Sequence, residues 1–211
     1  MKTEQLVQVL VADRARGGRT LGRLLAIGLL AGSVISLGLF LATLGPRQDL
    51  VPALSTWRFD LKIALVMLAL GVAFALCRAL ARPVPVARPA RYLLPLAAFA
   101  ALAVAVELAI APMDSWGHRL VGSNSLICLT AVPALSLAPL AAALAMLRSA
   151  APSSPALAGA AAGLVAAAAG ALLYAFHCFD DSPLFVVTWY GLAMAVVTTI
   201  GWLAGRKLLR W

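Results

Sequence analysis

Six long apolar runs, separated by short polar connections, dominate the pattern of this chain. They cover residues 24–44, 63–80, 92–110, 126–147, 156–176 and 184–204. Each run has about the 20 apolar residues that an α-helix needs to cross the hydrocarbon core of a bilayer. The pattern therefore predicts an all-α fold, a polytopic membrane protein built as a six-helix transmembrane bundle.

The polar segments divide the chain into three parts. Residues 1–23 form an N-terminal segment, residues 24–204 hold the six spans, and residues 205–211 form a basic tail. The chain is 63% hydrophobic and only 12% charged, whereas a soluble domain averages about 45–50% apolar and about 25% charged residues. The bilayer is therefore the expected solvent of the middle part.

Lys and Arg are distributed unevenly over the connections. An even number of spans brings both ends of the chain to one side of the membrane. Counted with the termini inside, the inner segments hold thirteen of the 17 basic residues and the outer loops hold four. The positive-inside rule predicts that both termini are cytoplasmic. The net charge of +9 follows from this topology and does not indicate a nucleic-acid partner. The aromatic residues expected at the outer membrane boundary are Trp57, Trp116, Tyr174, Trp189 and Tyr190.

One short stretch, residues 176–183, concentrates reactive side chains in an otherwise apolar chain. It contains His177-Cys178 followed by Asp180-Asp181. The predicted topology places this stretch outside, and Cys128 begins the fourth run from the same side. Glu107, Asp114 and His118 are also expected at that level.

Three interpretations of this stretch remain open. Asp180 to Pro183 are typical of a helix start, with acids at the positive end, a Ser cap and Pro in the first position. Thiolate, imidazole and carboxylate groups together suit zinc or a softer heavy-metal ion. Cys128 and Cys178 could instead form and break a disulfide. The candidate helper residues around the two cysteines are His177, Asp180, Asp181, His118 and Glu107.

The N-terminal segment has the pattern of a short amphipathic helix that ends where Gly17-Gly18 interrupt it. Either it is a basic segment at the entry to the membrane, or it docks in a groove of a cytoplasmic partner. The residues proposed for such docking are Thr3, Leu6, Val9, Leu10 and Asp13.

No motif of enzyme chemistry occurs: HExxH, GxSxG, P-loop and GxGxxG patterns are all missing from the sequence. The chain is therefore not expected to be an enzyme. A small metal or solute transporter that uses the outer Cys/His cluster is an alternative function. The fifth run, rich in Ala and Gly, is expected to pack inside the bundle. The GxxxG pairs Gly28/Gly32 and Gly201/Gly205 could pack within or between chains, which leaves a homo-oligomer open.

Three sequence motifs resemble a known family. They are MKTEQL at residues 1–6 with Ala12-Asp13, GSNSLICL at residues 122–129, and HCFDDSPLFVVTWY at residues 177–190. With the six runs, they make the chain similar to the NrsF-type membrane anti-sigma factors, proteobacterial negative regulators of ECF sigma factors.

The resemblance implies a function that the residues alone do not. The cytoplasmic N-terminal segment would hold an ECF sigma factor at the bacterial inner membrane. Cys128 and Cys178 would sense heavy-metal or oxidant stress and cause its release. The one cofactor this implies is a heavy-metal ion that binds transiently, and the expected partners are the sigma factor and membrane lipid.

Overall fold

The computed structural model describes residues 3–209, and the side chains of residues 21–209. Within these ranges the chain is all-helical. The α-helices are α1 (Thr3–Thr43), α2 (Leu50–Ala53), α3 (Trp57–Leu80), α4 (Leu94–Ile110), α5 (Trp116–Val121), α6 (Ser125–Leu147), α7 (Pro155–Ala175), α8 (Pro183–Phe185) and α9 (Gly191–Leu208). Short 3-10 turns cover Pro89–Leu93 and Met113–Ser115, and a π-helical turn, Val186–Tyr190, joins α8 to α9.

Six helical segments are long and apolar enough to cross a membrane. They are Leu21–Thr43, Trp57–Leu80, Pro89–Ile110, Met113–Leu147, Pro155–Ala175 and Pro183–Leu208. These segments contain the six predicted runs almost entirely, which confirms the prediction of an all-α chain with six long apolar helices.

Two helix boundaries differ from the sequence prediction. The N-terminal helix does not stop at Gly17-Gly18, because α1 continues through both residues into the first apolar run. Glycine lowers helix propensity by only about 1 kcal/mol relative to alanine, which its neighbours can offset. Helix α3 begins at Trp57 rather than near residue 63, because Arg58 and Lys62 in its first two turns have carboxylate partners.

The alanine- and glycine-rich helix α7 forms the centre of the bundle. Its span is 67% buried, the largest share of the six, as the composition predicted. A Cβ atom added at Gly163 would lie 2.6 Å from the carbonyl oxygen of Val197 in α9. Gly159 likewise faces Gly201 and Gly205. The GxxxG pair of α9 is therefore used for close packing within the chain.

The small residues of α1 pack against α6. A Cβ atom added at Gly32 would lie 2.7 Å from the Cα atom of Pro139. Pro139 has no N–H group, so the carbonyl of Leu135 one turn earlier loses its helical donor. Ser36 of α1 donates a hydrogen bond to that carbonyl at 2.6 Å. This contact joins the first and fourth spans through the middle of the bundle.

The bundle has two chemically different ends among residues 21–209. The carboxylate end comprises residues 44–62, 107–124 and 176–182, and it holds all six acidic residues of this range and four basic ones. The opposite basic end holds no acidic residue. Its cations are Arg23, Arg78, Arg82, Arg88, Arg91, Arg148, Arg206 and Lys207.

Candidate functional site

Cys178 lies in the connection that follows α7 at the carboxylate end. The amide groups of His177 and Cys178 both donate to the carbonyl of Tyr174, at 2.9 and 3.0 Å. These bonds turn the chain back over the end of α7 and direct Cys178 inward, where it is completely buried. Its thiol contacts the carbonyl of Asp180 at 3.8 Å. The connection is thus an ordered part of the core rather than an open surface loop.

Cys128, in the first turn of α6, belongs to the same buried apolar cluster as Cys178. Both cysteines are completely buried and both are free thiols. Tyr174 and Tyr190 belong to this cluster too, with ring centroids 5.7 Å apart. These two tyrosines, predicted to fall near the outer boundary, are buried and line the cysteine cluster, so their side chains do not face outward as those of an aromatic belt would. The structure therefore brings together the two cysteines that the sequence singled out.

The surroundings of Cys178 suppress its ionisation. Burial raises the pKa of this thiol above its ordinary value, and the nearby charge of Lys62 only partly opposes that effect. Because the thiolate is the form that attacks oxidants and binds metals, the thiol is poorly reactive in this conformation.

Two buried cations hold the backbone and the acid next to Cys178. Lys62 Nζ donates to the carbonyl of Cys178 at 2.9 Å and forms an ion pair with Asp181. Arg47 Nη1 donates to the same carbonyl at 3.2 Å and to Asp181 Oδ2 at 2.9 Å. The side chains of Lys62 and Arg47 are 0% and 5% exposed, respectively. Such buried charges are stable only when they are paired and hydrogen-bonded, as they are here.

Arg47 also forms an ion pair with Asp49, in addition to its ion pair with Asp181. Its Nε and Nη2 atoms donate to the two carboxylate oxygens of Asp49, each at 2.7 Å. This bidentate contact with Arg47 holds the pKa of the exposed Asp49 below its ordinary value. The guanidinium lies 4.9 Å from the ring centre of Phe179. Arg47 is therefore fixed by two carboxylates, a backbone carbonyl and an aromatic ring.

Asp180 does not serve the start of the last helix, contrary to one interpretation of the sequence. Its carboxylate accepts hydrogen bonds from the amide groups of Ser123 and Asn124, both at about 3.0 Å. These amides precede the first turn of α6, so the acid lies at the positive end of the helix that carries Cys128. Pro183 does occupy the first position of α8, with which the sixth apolar segment begins, as predicted.

Glu107 is completely buried near the end of α4. It forms ion pairs with Arg58 at 3.0 Å and with Arg119 at 2.9 Å, and it accepts a hydrogen bond from Ser182 at 3.3 Å. Ser182, predicted as a helix cap, makes no capping bond with its side chain. Glu107 therefore connects α3, α4, α5 and the cysteine-bearing connection.

The predicted helper residues do not converge on the cysteines as metal ligands. His177 Nδ1 lies 2.9 Å from the carbonyl oxygen of Gly45. His118 is exposed on α5. Within the described part of the chain, no three His, Cys, Asp or Glu side chains are arranged to hold a metal ion. The acids bind cations and backbone amides instead.

The four basic residues of the carboxylate end are the part of the site that sequence reasoning missed. Arg47, Arg58, Lys62 and Arg119 each pair with a carboxylate. One sequence signal could have found them. They are the four basic residues that the predicted topology places in the outer loops, where the positive-inside rule expects few, and acidic residues lie in or near the same loops.

The residues predicted to dock a partner occupy the first turns of α1. The backbone of residues 3–20 is helical. The side chains of Thr3, Leu6, Val9, Leu10 and Asp13 lie outside the described residues.

The chain matches proteins of known role over nearly its full length. A family model, NrsF, described as "negative regulator of sigma F", matches residues 10–211. The chain is 34% identical to the probable anti-sigma-F factor NrsF of Azospira oryzae, with both chains covered in full. It is 35% identical to the anti-sigma-F factor NrsF of Caulobacter vibrioides, again with both covered in full. No solved structure matches the chain.

Proposed function

Because this chain belongs to the NrsF family of negative regulators of sigma F, as its motifs predicted, we propose that it is a membrane-embedded anti-sigma factor that holds an ECF-type sigma factor through residues 1–23. The family role is regulatory and needs no catalytic site. One structural observation carries the proposal: α1 joins the N-terminal segment to the first span as a single helix. A protein docked on residues 3–20 would be held directly at the bundle.

The charge distribution supports a bacterial inner-membrane location with both termini in the cytoplasm. The basic end has eight cations and no acid among residues 21–209, while the carboxylate end has four cations, each paired with an acid. The positive-inside rule assigns the end with more Lys and Arg to the cytoplasm. That assignment places the start of α1 beside the compartment in which sigma factors act.

The buried cysteine pair supports a sensing role on the periplasmic side. Cys128 and Cys178 are free and lie in one cluster, so oxidation to a disulfide or capture of a soft heavy-metal ion are the two chemistries open to them. A metal ion would be held by the sulfur atoms alone, because His177, Asp180, Asp181 and Glu107 have other partners. Sensing thus requires the cluster to open, since both thiols are covered at rest.

Isolation of the complex tests the anti-sigma proposal. The tagged full-length chain, extracted in detergent from its own host, is expected to co-purify with a sigma factor that mass spectrometry identifies. Deletion of residues 1–16 should abolish co-purification while the protein remains in the membrane. Retention of the sigma factor by the deletion variant would show that docking lies elsewhere.

Cysteine replacement tests the sensing proposal. Cys128→Ser and Cys178→Ser should each keep the sigma factor bound after exposure to a heavy metal or an oxidant. Cys77→Ser is the matched control, because Cys77 is buried in a different apolar cluster toward the basic end. A normal stress response in either of the first two variants would rule out sensing by this pair.

No observation favours a transporter. The charged side chains of residues 21–209 lie at the two ends of the bundle, and the four cations of the carboxylate end are all paired with acids. A transporter of ions or polar solutes needs polar groups near the middle of its spans.

A further inference from the structure

The end of α1 is bound directly to the connection that carries Cys178. His177 Nδ1 lies 2.9 Å from the carbonyl oxygen of Gly45, two residues beyond the end of α1. The amide of Arg47 donates to the carbonyl of Phe176 at 2.9 Å. With the hydrogen bonds of the Arg47 side chain, these contacts connect residues 45–47 to residues 176–181 through both backbone and side-chain atoms.

The Cys178 carbonyl lies at the centre of this junction. It accepts hydrogen bonds from two cations, Lys62 at 2.9 Å and Arg47 at 3.2 Å. Asp181 pairs with both cations, and Asp49 supplies the second negative charge through Arg47. A shift of the Cys178 backbone would separate this carbonyl from its donors. Asp181 follows Cys178 by three residues, so the same shift would also strain the ion pairs that Asp181 forms with Arg47 and Lys62. Because weakening buried ion pairs is strongly unfavourable, Arg47 must then follow the connection or leave the interior, where Asp49 remains its partner.

Movement of Arg47 would act on α1, since only a few residues separate it from the helix end at Thr43. Helix α1 has 41 residues and is thus about 60 Å long at 1.5 Å per residue. The close packing of Gly32 and the hydrogen bond of Ser36 hold α1 against α6 near the middle of the bundle. A rigid helix of this kind can transmit a change at one end to the other, provided that two arrangements of the junction exist.

We propose that Arg47, Lys62 and Asp181 form a latch that couples Cys178 to α1, and that opening this latch is the step that releases the sigma factor. The three are positioning residues that act through Cys178 and α1. The inference rests on the proposed function and adds the route by which the cysteine pair controls the N-terminal segment. The closed latch is the state that binds the sigma factor. A chemical change at Cys178 opens it by moving the carbonyl that the two cations hold.

Two substitutions test the latch in the full-length chain co-expressed with its sigma factor. Arg47→Gln and Asp181→Asn should each lower sigma co-purification from unstressed cells at least about fivefold, the lower range of known allosteric coupling. Arg119→Gln is the matched control, because Arg119 lies at the same end and pairs with Glu107 instead. The control should hold the sigma factor as the wild type does. Equal retention by Arg47→Gln, Asp181→Asn and the control would overturn the latch.

A double substitution separates coupling from simple loss of stability. Cys178→Ser alone should keep the sigma factor bound under stress. Adding Arg47→Gln should restore release without any stress, because the latch acts after the cysteine. Adding Arg119→Gln to Cys178→Ser should not cause release of the sigma factor in unstressed cells. If the double variant Cys178→Ser/Arg47→Gln stays as locked as Cys178→Ser, the latch does not lie on the route.

Milder variants cover the case in which Arg47→Gln fails to accumulate in the membrane. Arg47→Lys keeps the charge but loses the bidentate contact with Asp49. His177→Ala removes the contact with Gly45 and the ring contact with Tyr174 and leaves the Arg47 side chain in place. Each should release part of the sigma factor in unstressed cells, and wild-type retention by both would overturn the proposal. Failure of the wild type to co-purify with a sigma factor would instead refute the proposed function. If the wild type binds the sigma factor and the cysteine variants keep it bound under stress, a negative result with the Arg47 and His177 variants would refute the latch and not the proposed function.

Discussion

The carboxylate end and the basic end of the bundle use charge in opposite ways. At the carboxylate end, each of the four cations pairs with a carboxylate, and Lys62 and Glu107 are completely buried. At the basic end, eight cations have no acidic partner among residues 21–209. The first end combines ion pairs with a buried apolar cluster, whereas the second relies on apolar and glycine contacts, with no ion pair among residues 21–209.

This difference indicates which end of the bundle can switch between two distinct conformations. A buried network of paired charges has few alternative arrangements, and each costs free energy because a charge loses its partner. Unpaired surface cations exchange water and counterions with little cost. Structural change is therefore expected to originate at the carboxylate end, and α1 is expected to carry it to the N-terminal segment beyond the basic end.

The largest predicted effect is the loss of the buried cation. Lys62→Met replaces a fully buried ammonium by an apolar side chain of similar length and leaves Asp181 with Arg47 alone. Breaking a buried ion pair typically costs about 3–5 kcal/mol, and the lower part of that range is expected because Arg47 remains. Denaturation of the purified protein in detergent measures the change. A variant as stable as the wild type would show that the ion pairs do not hold this end together.

The helices were predictable because their signal is repeated along each run. About 20 apolar residues in succession specify a span whatever the details of packing. The GxxxG pair Gly28/Gly32 likewise indicated a close helix contact, and the structure shows that its partner is α6.

The polar network could be predicted only in part. The sequence placed Cys128, Cys178 and Glu107 at one end, since topology alone decides that. It did not reveal that Lys62 and Arg47 converge on Asp181, because the three residues come from different connections and their pairing depends on how the helices pack. One interpretation of the sequence assigns Asp180 to the start of the next helix along the chain, but its carboxylate lies at the start of α6. Local sequence identifies a helix terminus but not which acid will occupy it.

A second prediction concerns the other ion pair of the carboxylate end. Glu107→Gln leaves Arg58 and Arg119 without a counter-charge, but their side chains are 29% and 28% exposed and can reach water. The expected loss of stability is therefore smaller than for Lys62→Met, about 2 kcal/mol. The same denaturation experiment compares the two. A larger loss for Glu107→Gln would mean that α4 and α5, rather than the residues around Cys178, stabilise this end.

A third prediction concerns the contact that connects the two ends. In Gly32→Ala, the added methyl group would lie 2.7 Å from the Cα atom of Pro139, so α1 and α6 must separate. Overpacking of this kind costs about 1–3 kcal/mol, and the lower part is expected for a single methyl group. Gly38→Ala is the matched control, because nothing lies within 4 Å of a Cβ atom there. If both variants lost the same stability, the α1–α6 contact would have no special role.

The smallest effect is expected at the basic end. Arg88 is exposed in the connection before α4 and has no carboxylate near it among residues 21–209. Arg88→Gln should therefore change the free energy of unfolding by no more than about 0.5 kcal/mol, the usual range for surface substitutions. The same replacement at Arg47 removes a side chain that two carboxylates and a backbone carbonyl fix in place, and it should destabilise the protein far more. This matched pair compares one chemical change in two environments, with denaturation in the same detergent as the measurement. Equal effects at the two sites would contradict the contrast between the ends, because a guanidinium would then contribute the same whether or not it is paired.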